Sequence, residues 1–218
     1  MKLLQVDDLG FKYPDQNDWL LSGLSFSIEP GQIMAISGDN GTGKTTLLYL
    51  LSGIIPRHRQ GEITGEITLA DIDHKNATLP ELAANISLVM QQPEDQIFFP
   101  TVEQELAFAP ENLCLSVEEI NSRIDQVLKL LNIVNLRFAD TDKLSFGQQK
   151  LVALAAIHTL QPKILLLDEI SGGLDDDKLA AVCQLIRDYT NSGKAVIIAD
   201  HYPKLLKMAD ITLDLNLI

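Results

Sequence analysis

The sequence predicts an α/β fold, and three observations along the chain lead to it. The segment 38–45 joins a short apolar strand at 32–37 to a helix at 44–52. The early strands follow one another without helices between them, which is typical of antiparallel pairing. Later, apolar strands that end in polar residues alternate with longer helices. A single domain of 218 residues is expected, with room for a smaller subdomain.

The individual elements are predicted from apolar runs, alternation and helix-starting residues. Strands are expected at 2–6, 24–29, 32–37, 61–70, 86–90, 164–167, 195–199 and 211–215. Helices are expected at 44–52, 101–108, 116–130, 145–158, 176–190 and 205–208. Ser116 and Ser145 stand where N-caps belong, and Glu119 and Gln148 follow three residues later. Both helices are therefore expected to begin with a capping box.

The loop between the third strand and the first helix fills every fixed position of the G-x-x-x-x-G-K-[ST] phosphate-binding pattern. Its residues are Gly38, Asp39, Asn40, Gly41, Thr42, Gly43, Lys44 and Thr45. Backbone N–H groups of such a loop and the helix N-terminus attract one anion. Lys44 is expected to reach the terminal phosphates of a nucleotide, and the Thr45 hydroxyl to ligate Mg²⁺. The chain is therefore expected to bind a nucleoside triphosphate.

Two polar or aromatic residues near this loop each allow two interpretations. Tyr13, before Pro14, either stacks on a purine, which contributes about 1–3 kcal/mol at comparable sites, or packs against a turn. Gln91 follows the strand at 86–90, at the sheet edge where α/β folds bind ligands. It either contacts Mg²⁺ or the attacking water, or belongs to an ordinary solvated loop.

Two later strands end in residues suited to hydrolysis. Asp168 and Glu169 follow the strand at 164–167, and alternation is expected to place them on different sides of its end. One carboxylate can hold Mg²⁺, while the other accepts a proton from water that attacks the γ-phosphate. His201, next to Asp200, is either a structural histidine or a γ-phosphate sensor.

The predicted helix at 145–158 suggests a second anion site. Its capped N-terminus is able to bind an anion, and Gly147 would let a phosphate approach the backbone closely. The simpler interpretation is that Ser145 and Gln148 only start a helix.

Composition limits the classes of function and partner. The net charge of −13 argues against general nucleic-acid binding. Cys114 and Cys183 lack metal-ligand spacing and are expected to be free thiols in a reducing cytoplasm. The N-terminal apolar stretch is too short for a signal peptide, and no run of 18 apolar residues predicts a membrane span.

With these motifs in one order, the chain resembles an ATP-binding subunit of ABC transporters. The resemblance rests most specifically on Leu144-Ser145-Phe146-Gly147-Gln148, an LSGGQ-type signature ahead of the Asp168-Glu169 strand. It implies a P-loop NTPase with a mostly parallel central sheet, an antiparallel β subdomain and a helical subdomain. One domain over 1–218 would divide into a RecA-like core with the antiparallel part, at 1–90 and 160–218, and a helical subdomain at about 95–158.

The resemblance also implies which residues contact ATP and Mg²⁺. The ATP-contacting set would be Tyr13, the Walker A loop Gly38–Thr45 with Thr46, the signature residues Ser145, Gly147 and Gln148, and the D-loop Asp175. Thr45, the Q-loop Gln91 and the Walker B Asp168 would hold Mg²⁺. Glu169 would be the catalytic base, assisted by Gln91 and the switch residue His201.

The implied partners are a second ABC ATPase subunit and a transmembrane permease, at the inner face of the cell membrane. Segments 11–14 and 91–96 are similar to the energy-coupling-factor subgroup, whose members import vitamins and cobalt or nickel ions. Phe146 replaces the usual signature glycine and Ile170 the usual proline after the catalytic glutamate. Activity is expected to survive both changes, because Ser145 and Gly147 are intact.

Two other functions remain open from the sequence. An ABC-type ATPase acting on DNA or the ribosome would usually carry long insertions or a second cassette, which do not fit in 218 residues. A P-loop kinase of small molecules would explain the phosphate-binding loop but leave 144–148 and His201 without a role.

Overall fold

The structure, a computed structural model, describes residues 2–70 and 72–217. The strands are β1 Leu4–Lys12, β2 Leu21–Ile28, β3 Ile33–Ser37, β4 Glu62–Leu69, β5 Ile72–Asp73, β6 Ile86–Val89, β7 Ile164–Asp168, β8 Ala195–Ala199 and β9 Ile211–Asp214. The helices are α1 Lys44–Leu51, α2 Ile54–Arg57, α3 Leu79–Ala83, α4 Val102–Asn112, α5 Val117–Leu130, α6 Phe146–Leu160, α7 Asp176–Asn191 and α8 Pro203–Leu206.

The chain forms two compact units. The first comprises Met1–Leu88, Lys163–Asp168 and Tyr189–Ile218, and it contains both sheets. The second comprises Val89–Pro162 and Glu169–Asp188, and it is largely helical. No described helix has the length and apolar character needed to cross a membrane.

The larger sheet has the strand order β6-β7-β8-β3-β9. β8 pairs in parallel with β7 and with β3, and β3 pairs in parallel with β9. Every residue of β7 and β8 is buried, as expected of strands covered on both faces. Ala199 at the end of β8 aligns with Asp168 of β7 and with Ile36 of β3. The carboxyl ends of these three strands therefore meet at one edge, and the predicted α/β fold is confirmed.

The smaller sheet is antiparallel, with the order β2-β1-β4-β5, which confirms the pairing predicted for the early strands. β1 runs well past its predicted end at Val6 and includes Phe11 and Lys12. It continues because β2 and β4 pair with both of its edges. The register of β1 against β4 shifts between Asp7 and Gly10, and Asp8 has a φ of 50°. The adjacent aspartates Asp7 and Asp8 therefore lie at a β-bulge.

In the second unit, the amphipathic α5 buries the apolar face that the sequence predicted, through Ile120, Ile124 and Val127. Its predicted capping box is only half formed. Ser116 Oγ accepts a hydrogen bond from the Glu119 N–H at 3.2 Å, but the Glu119 carboxylate accepts one from Arg123 at 2.7 Å. The i,i+4 ion pair thus takes the side chain that would have completed the box.

A buried histidine supports the helix that follows the phosphate-binding loop. His74 is 6% exposed, and its Nε2 lies 3.0 Å from the carbonyl oxygen of Leu51, the last residue of α1. Arg57 donates to the His74 carbonyl at 2.9 Å. Burial lowers the pKa of His74 below its ordinary value of 6.5, because the buried site disfavours the charged imidazolium.

We expect the free energy of unfolding to fall as the pH drops below 6.5, the ordinary pKa of this side chain. In that range the unfolded chain takes up a proton at His74 while the folded chain does not, so protonation favours unfolding. Above that pH both states are neutral here and the contribution of His74 is constant. Urea unfolding at a series of pH values measures this slope. The His74→Gln variant should lose it, and an identical slope in both proteins would contradict the assignment.

Candidate nucleotide-binding and hydrolysis residues

The predicted phosphate-binding loop connects β3 to α1. The Lys44 ammonium group donates to the carbonyl oxygens of Gly38 at 2.8 Å and Asp39 at 2.9 Å, so it folds back over the loop. Gly41 and Gly43 have φ values of 87° and 98°, which glycine adopts readily. At Gly43 a Cβ would also lie 2.9 Å from Leu21 Cδ2. The loop therefore places glycine backbone and the Lys44 ammonium group at the start of α1.

The N-terminus of α1 differs from that of α6 in its capping. Among the residues that the structure describes, no side chain caps the first turn of α1. Its leading N–H groups are therefore available to an anion. One residue that sequence reasoning missed braces this loop: Asn216 Oδ1 accepts a hydrogen bond from the Asp39 N–H at 3.1 Å. It lies just after the last strand, and nothing in the local sequence marks it.

Tyr13 lies beside the first turn of α1. Its hydroxyl is 3.0 Å from the Thr46 hydroxyl, and its ring meets the buried Phe11 ring edge-on with centroids 4.7 Å apart. The tyrosine is thus held against the helix that begins at the phosphate-binding loop, and its adenine-stacking role stays a prediction.

At the same sheet edge, two buried aspartates end β7 and follow β8. Asp168 is 1% exposed and Asp200 is 3% exposed. Asp200 Oδ1 accepts hydrogen bonds from the N–H groups of His201 at 2.7 Å and Tyr202 at 2.8 Å, which fixes this turn. The His201 side chain is 79% exposed, with Nδ1 4.0 Å from that same oxygen. Asp200 therefore presents His201 to solvent at the edge where β3 ends.

Glu169 leaves the end of β7 with a left-handed backbone, at φ 45°. Such angles are uncommon for a residue with a side chain. This turn, rather than the alternation predicted for a continuing strand, gives Glu169 a more exposed setting than Asp168. The Gln91 amide donates to Glu169 Oε2 at 2.6 Å, so the structure brings these two predicted residues together.

The start of α6 has the reciprocal capping box that the sequence predicted. Ser145 Oγ accepts from the Gln148 N–H at 3.4 Å, and Gln148 Oε1 accepts from the Ser145 N–H at 2.8 Å. Ser145 is exposed. Gly147 is buried, and a Cβ there would lie 2.4 Å from the Gly173 carbonyl oxygen. The close approach of the Gly173 carbonyl to the start of α6 therefore requires glycine at position 147.

Phe146, at the position where the family usually has glycine, lies across the loop after β7. Its exposed fraction is 39%. A Cβ on Gly173, whose φ is 77°, would lie 2.6 Å from Phe146 Cδ1. The ring centroid lies 5.2 Å from the ammonium nitrogen of Lys150, which is a cation–π distance. Lys150 was missed by sequence reasoning, although a lysine within the apolar run of α6 was a visible signal.

Asp175 serves as a cap in this structure. Its Oδ1 accepts from the Lys178 N–H at 2.9 Å and its Oδ2 from the Lys178 ammonium group at 2.5 Å. The hydrogen bond from the Lys178 side chain lowers the pKa of Asp175 below its ordinary value. Its expected role as the D-loop aspartate stays a prediction.

We expect Gly147→Ala to destabilise the protein, although alanine is the better helix former by about 1 kcal/mol. The new methyl group would clash with the Gly173 carbonyl, and such overpacking typically costs about 1–3 kcal/mol. Chemical denaturation of both proteins measures the difference. A more stable alanine variant would show that the loop at Gly173 moves aside freely.

Comparison with known proteins identifies the family to which the chain is similar. A model of the ABC transporter family matches residues 21–172. The chain is 36% identical over 201 residues to the energy-coupling factor transporter ATP-binding protein EcfA of Methanocaldococcus jannaschii, covering 92% of this chain and 71% of that protein. It is 33% identical over 210 residues to an ABC-transporter-type protein of Methanosarcina acetivorans, covering 95% of this chain but only 33% of that protein.

A solved structure gives the same result for the fold. The structure of cbiO1 from Clostridium perfringens, described as part of the ABC transporter complex cbiONQ, matches with a TM-score of 0.82 and 32% identity. The match covers 98% of this chain and 84% of that one. The family model covers most of the chain, and the chain in turn aligns with most of the length of the EcfA relative. The chain therefore belongs to the ABC transporter family.

Proposed function

We propose that the chain binds ATP, dimerises on it and hydrolyses it to power a membrane transporter. The observation that carries the proposal is the exposure of Ser145 at the capped start of α6. In the family arrangement this end of the helix completes the ATP site of a facing subunit, which a buried Ser145 could not do. Family membership and the intact phosphate-binding loop supply the rest of the support.

In this proposal Gly38–Thr45 and Thr46 bind the phosphates, while the Tyr13 ring stacks on the adenine. Lys44 exchanges its two loop carbonyls for the terminal phosphates, since an ammonium group gains more from charged oxygens than from neutral ones. The uncapped N–H groups of α1 receive the same anion.

The residues present fit Mg²⁺. The Thr45 hydroxyl and the buried Asp168 carboxylate are hard oxygen donors of the kind this ion prefers. No group of three histidine, cysteine, aspartate or glutamate residues within 2–70 and 72–217 would hold a metal alone. This agrees with an ion that takes few ligands from the protein and the others from phosphates and water. When bound, it would neutralise charge on the phosphates, and Gln91 would contribute its amide oxygen.

Hydrolysis is proposed to depend on Glu169 as general base. Its carboxylate would accept the proton of the attacking water, and the Gln91 amide, 2.6 Å away, would hold that carboxylate in orientation. His201, exposed on the turn fixed by Asp200, would contact the γ-phosphate. Asp175, just before α7, would belong to the ATP-contacting set as the D-loop aspartate.

The partners we propose are a second ATPase subunit, identical or related, and a transmembrane permease to which the chain attaches at the inner face of the membrane. No nucleic-acid partner is proposed. The relatives named EcfA and cbiO1 support the energy-coupling-factor type, and with it import of a vitamin or metal ion. We also propose a RecA-like core with its antiparallel part, at 1–90 and 160–218, and a helical subdomain, at about 95–158. The second compact unit contains 95–158 but also takes in Glu169–Asp188, which the prediction assigned to the core.

The Glu169→Gln variant tests this function. We expect its ATP turnover to fall by a factor of about 10²–10⁴, as for loss of a general base, while ATP-dependent dimers accumulate. Phosphate release and light scattering measure the two effects. Glu118→Gln removes an exposed carboxylate from the first turn of α5 and should behave as wild type. A Glu169→Gln protein that stays monomeric with ATP and Mg²⁺, or transfers phosphate to a metabolite, would refute the proposal.

A further inference from the structure

Lys150 carries a charged group into the interior of the second unit. It lies one turn into α6 and is 2% exposed, and the residues that follow it, Leu151 to Ala155, are all buried. Lysine is almost never fully buried unless its charge is satisfied, because removing an ammonium group from water is expensive. The contacts of this group therefore indicate what it is for.

The ammonium group of Lys150 meets the loop that follows β7. It donates a hydrogen bond to the backbone carbonyl of Glu169. A Cβ on Gly172 would lie 3.1 Å from the ammonium nitrogen, so that glycine leaves the space in which the group sits. On the other side, the Phe146 ring centroid lies 5.2 Å away.

Glu169 needs such support because its left-handed backbone, at φ 45°, is strained for a residue with a side chain. Strained backbone persists only where surrounding contacts over-determine it. The Glu169 carbonyl accepts hydrogen bonds from Lys150 and from the Gly172 N–H at 3.3 Å, while the carboxylate accepts one from Gln91 at 2.6 Å. The residue is therefore held at both ends.

Ile170 permits this conformation. A proline at that position would bias Glu169 towards extended backbone. Here the buried Ile170 imposes no such bias.

We propose that Lys150 is a positioning residue for Glu169: its ammonium group fixes the Glu169 carbonyl, and with it the left-handed turn that aims the carboxylate at Gln91. The inference rests on the proposed function, since it concerns the residue assigned as general base. The Phe146 ring lies over the same ammonium group. Lys150 therefore contacts both the exposed start of α6 and Glu169, within one unit.

The chain offers a matched control at Arg123. This side chain is also largely buried, lies in the same unit, and donates to a backbone carbonyl, that of Thr159, at 2.9 Å. Arg123→Met and Lys150→Met each remove a cation that donates to a backbone carbonyl, and Arg123→Met also removes an ion pair with Glu119. Of these two side chains, only Lys150 contacts the turn that carries Glu169. If Lys150 had a purely structural role, both variants would therefore show the same enzymatic behaviour.

The experiment measures ATP turnover by wild type, Lys150→Met and Arg123→Met with Mg²⁺. We expect kcat of Lys150→Met to fall about 10- to 100-fold, the effect of a small misplacement of a catalytic group. Its KM for ATP should stay within about twofold of wild type, since the interaction lost serves the chemical step. Arg123→Met should keep both constants. A Lys150→Met protein with wild-type kcat, or with a changed KM and unchanged kcat, would overturn the inference.

A crystal structure of Lys150→Met provides a readout that does not depend on turnover. We expect φ of Glu169 to become negative and the Gln91–Glu169 hydrogen bond to be lost; retention of both features would overturn the inference. If wild type itself does not hydrolyse ATP, the proposed function fails, and this structural arm still decides the positioning role. Should Lys150→Met not fold, Lys150→Gln, which shortens the side chain and removes its charge, gives the same readouts.

Discussion

The register of β3, β8 and β7 is the constraint on which the first unit depends. Ala199 stands opposite both Ile36 and Asp168, so the phosphate-binding loop, the buried Asp168 and the Asp200 turn begin at the same level of the sheet. A slip of one residue would turn every side chain of the slipped strand to the other face. The pairing of these strands, buried along nearly their whole length, therefore also assembles polar groups at the sheet edge.

In the second unit, one helix presents opposite environments within two turns. Ser145 at the start of α6 is exposed and hydrogen bonded only locally, whereas Lys150 is buried against the loop after β7. Gly147 lies between them and is in close contact with Gly173. Packing of the helix start onto that loop therefore determines both how Ser145 is displayed and how Glu169 is supported.

The parts predicted from sequence are those whose signals are local. The phosphate-binding loop, the Ser145 capping box and the strands ending at Asp168 and Ala199 depend on residues close together in the chain. The capped α3 was missed although Thr78 and Glu81 have the capping-box spacing, because its five residues are too few for a periodic pattern. The extension of β1 through its bulge depends on two neighbouring strands, which are distant in sequence.

Two features of the candidate site lay beyond any local pattern. The carbonyl of Glu169, whose backbone is left-handed, accepts a hydrogen bond from Lys150 of α6, and its carboxylate accepts one from Gln91. Neither contact follows from spacing along the chain. The requirement for glycine at 147 also has a tertiary cause, since it comes from the Gly173 carbonyl and not from a local turn. Glu169 turns out of the strand that ends at Asp168, a change of conformation that strand alternation does not describe.

The left-handed turn at Glu169 sets stability against chemistry. Backbone strain of this kind costs on the order of 1–3 kcal/mol, and glycine at that position would relieve it while abolishing the carboxylate. Under the proposed role of Glu169 as general base, a Glu169→Gly variant would gain stability and lose ATP hydrolysis. Selection for stability alone would then favour loss of the carboxylate that Gln91 contacts.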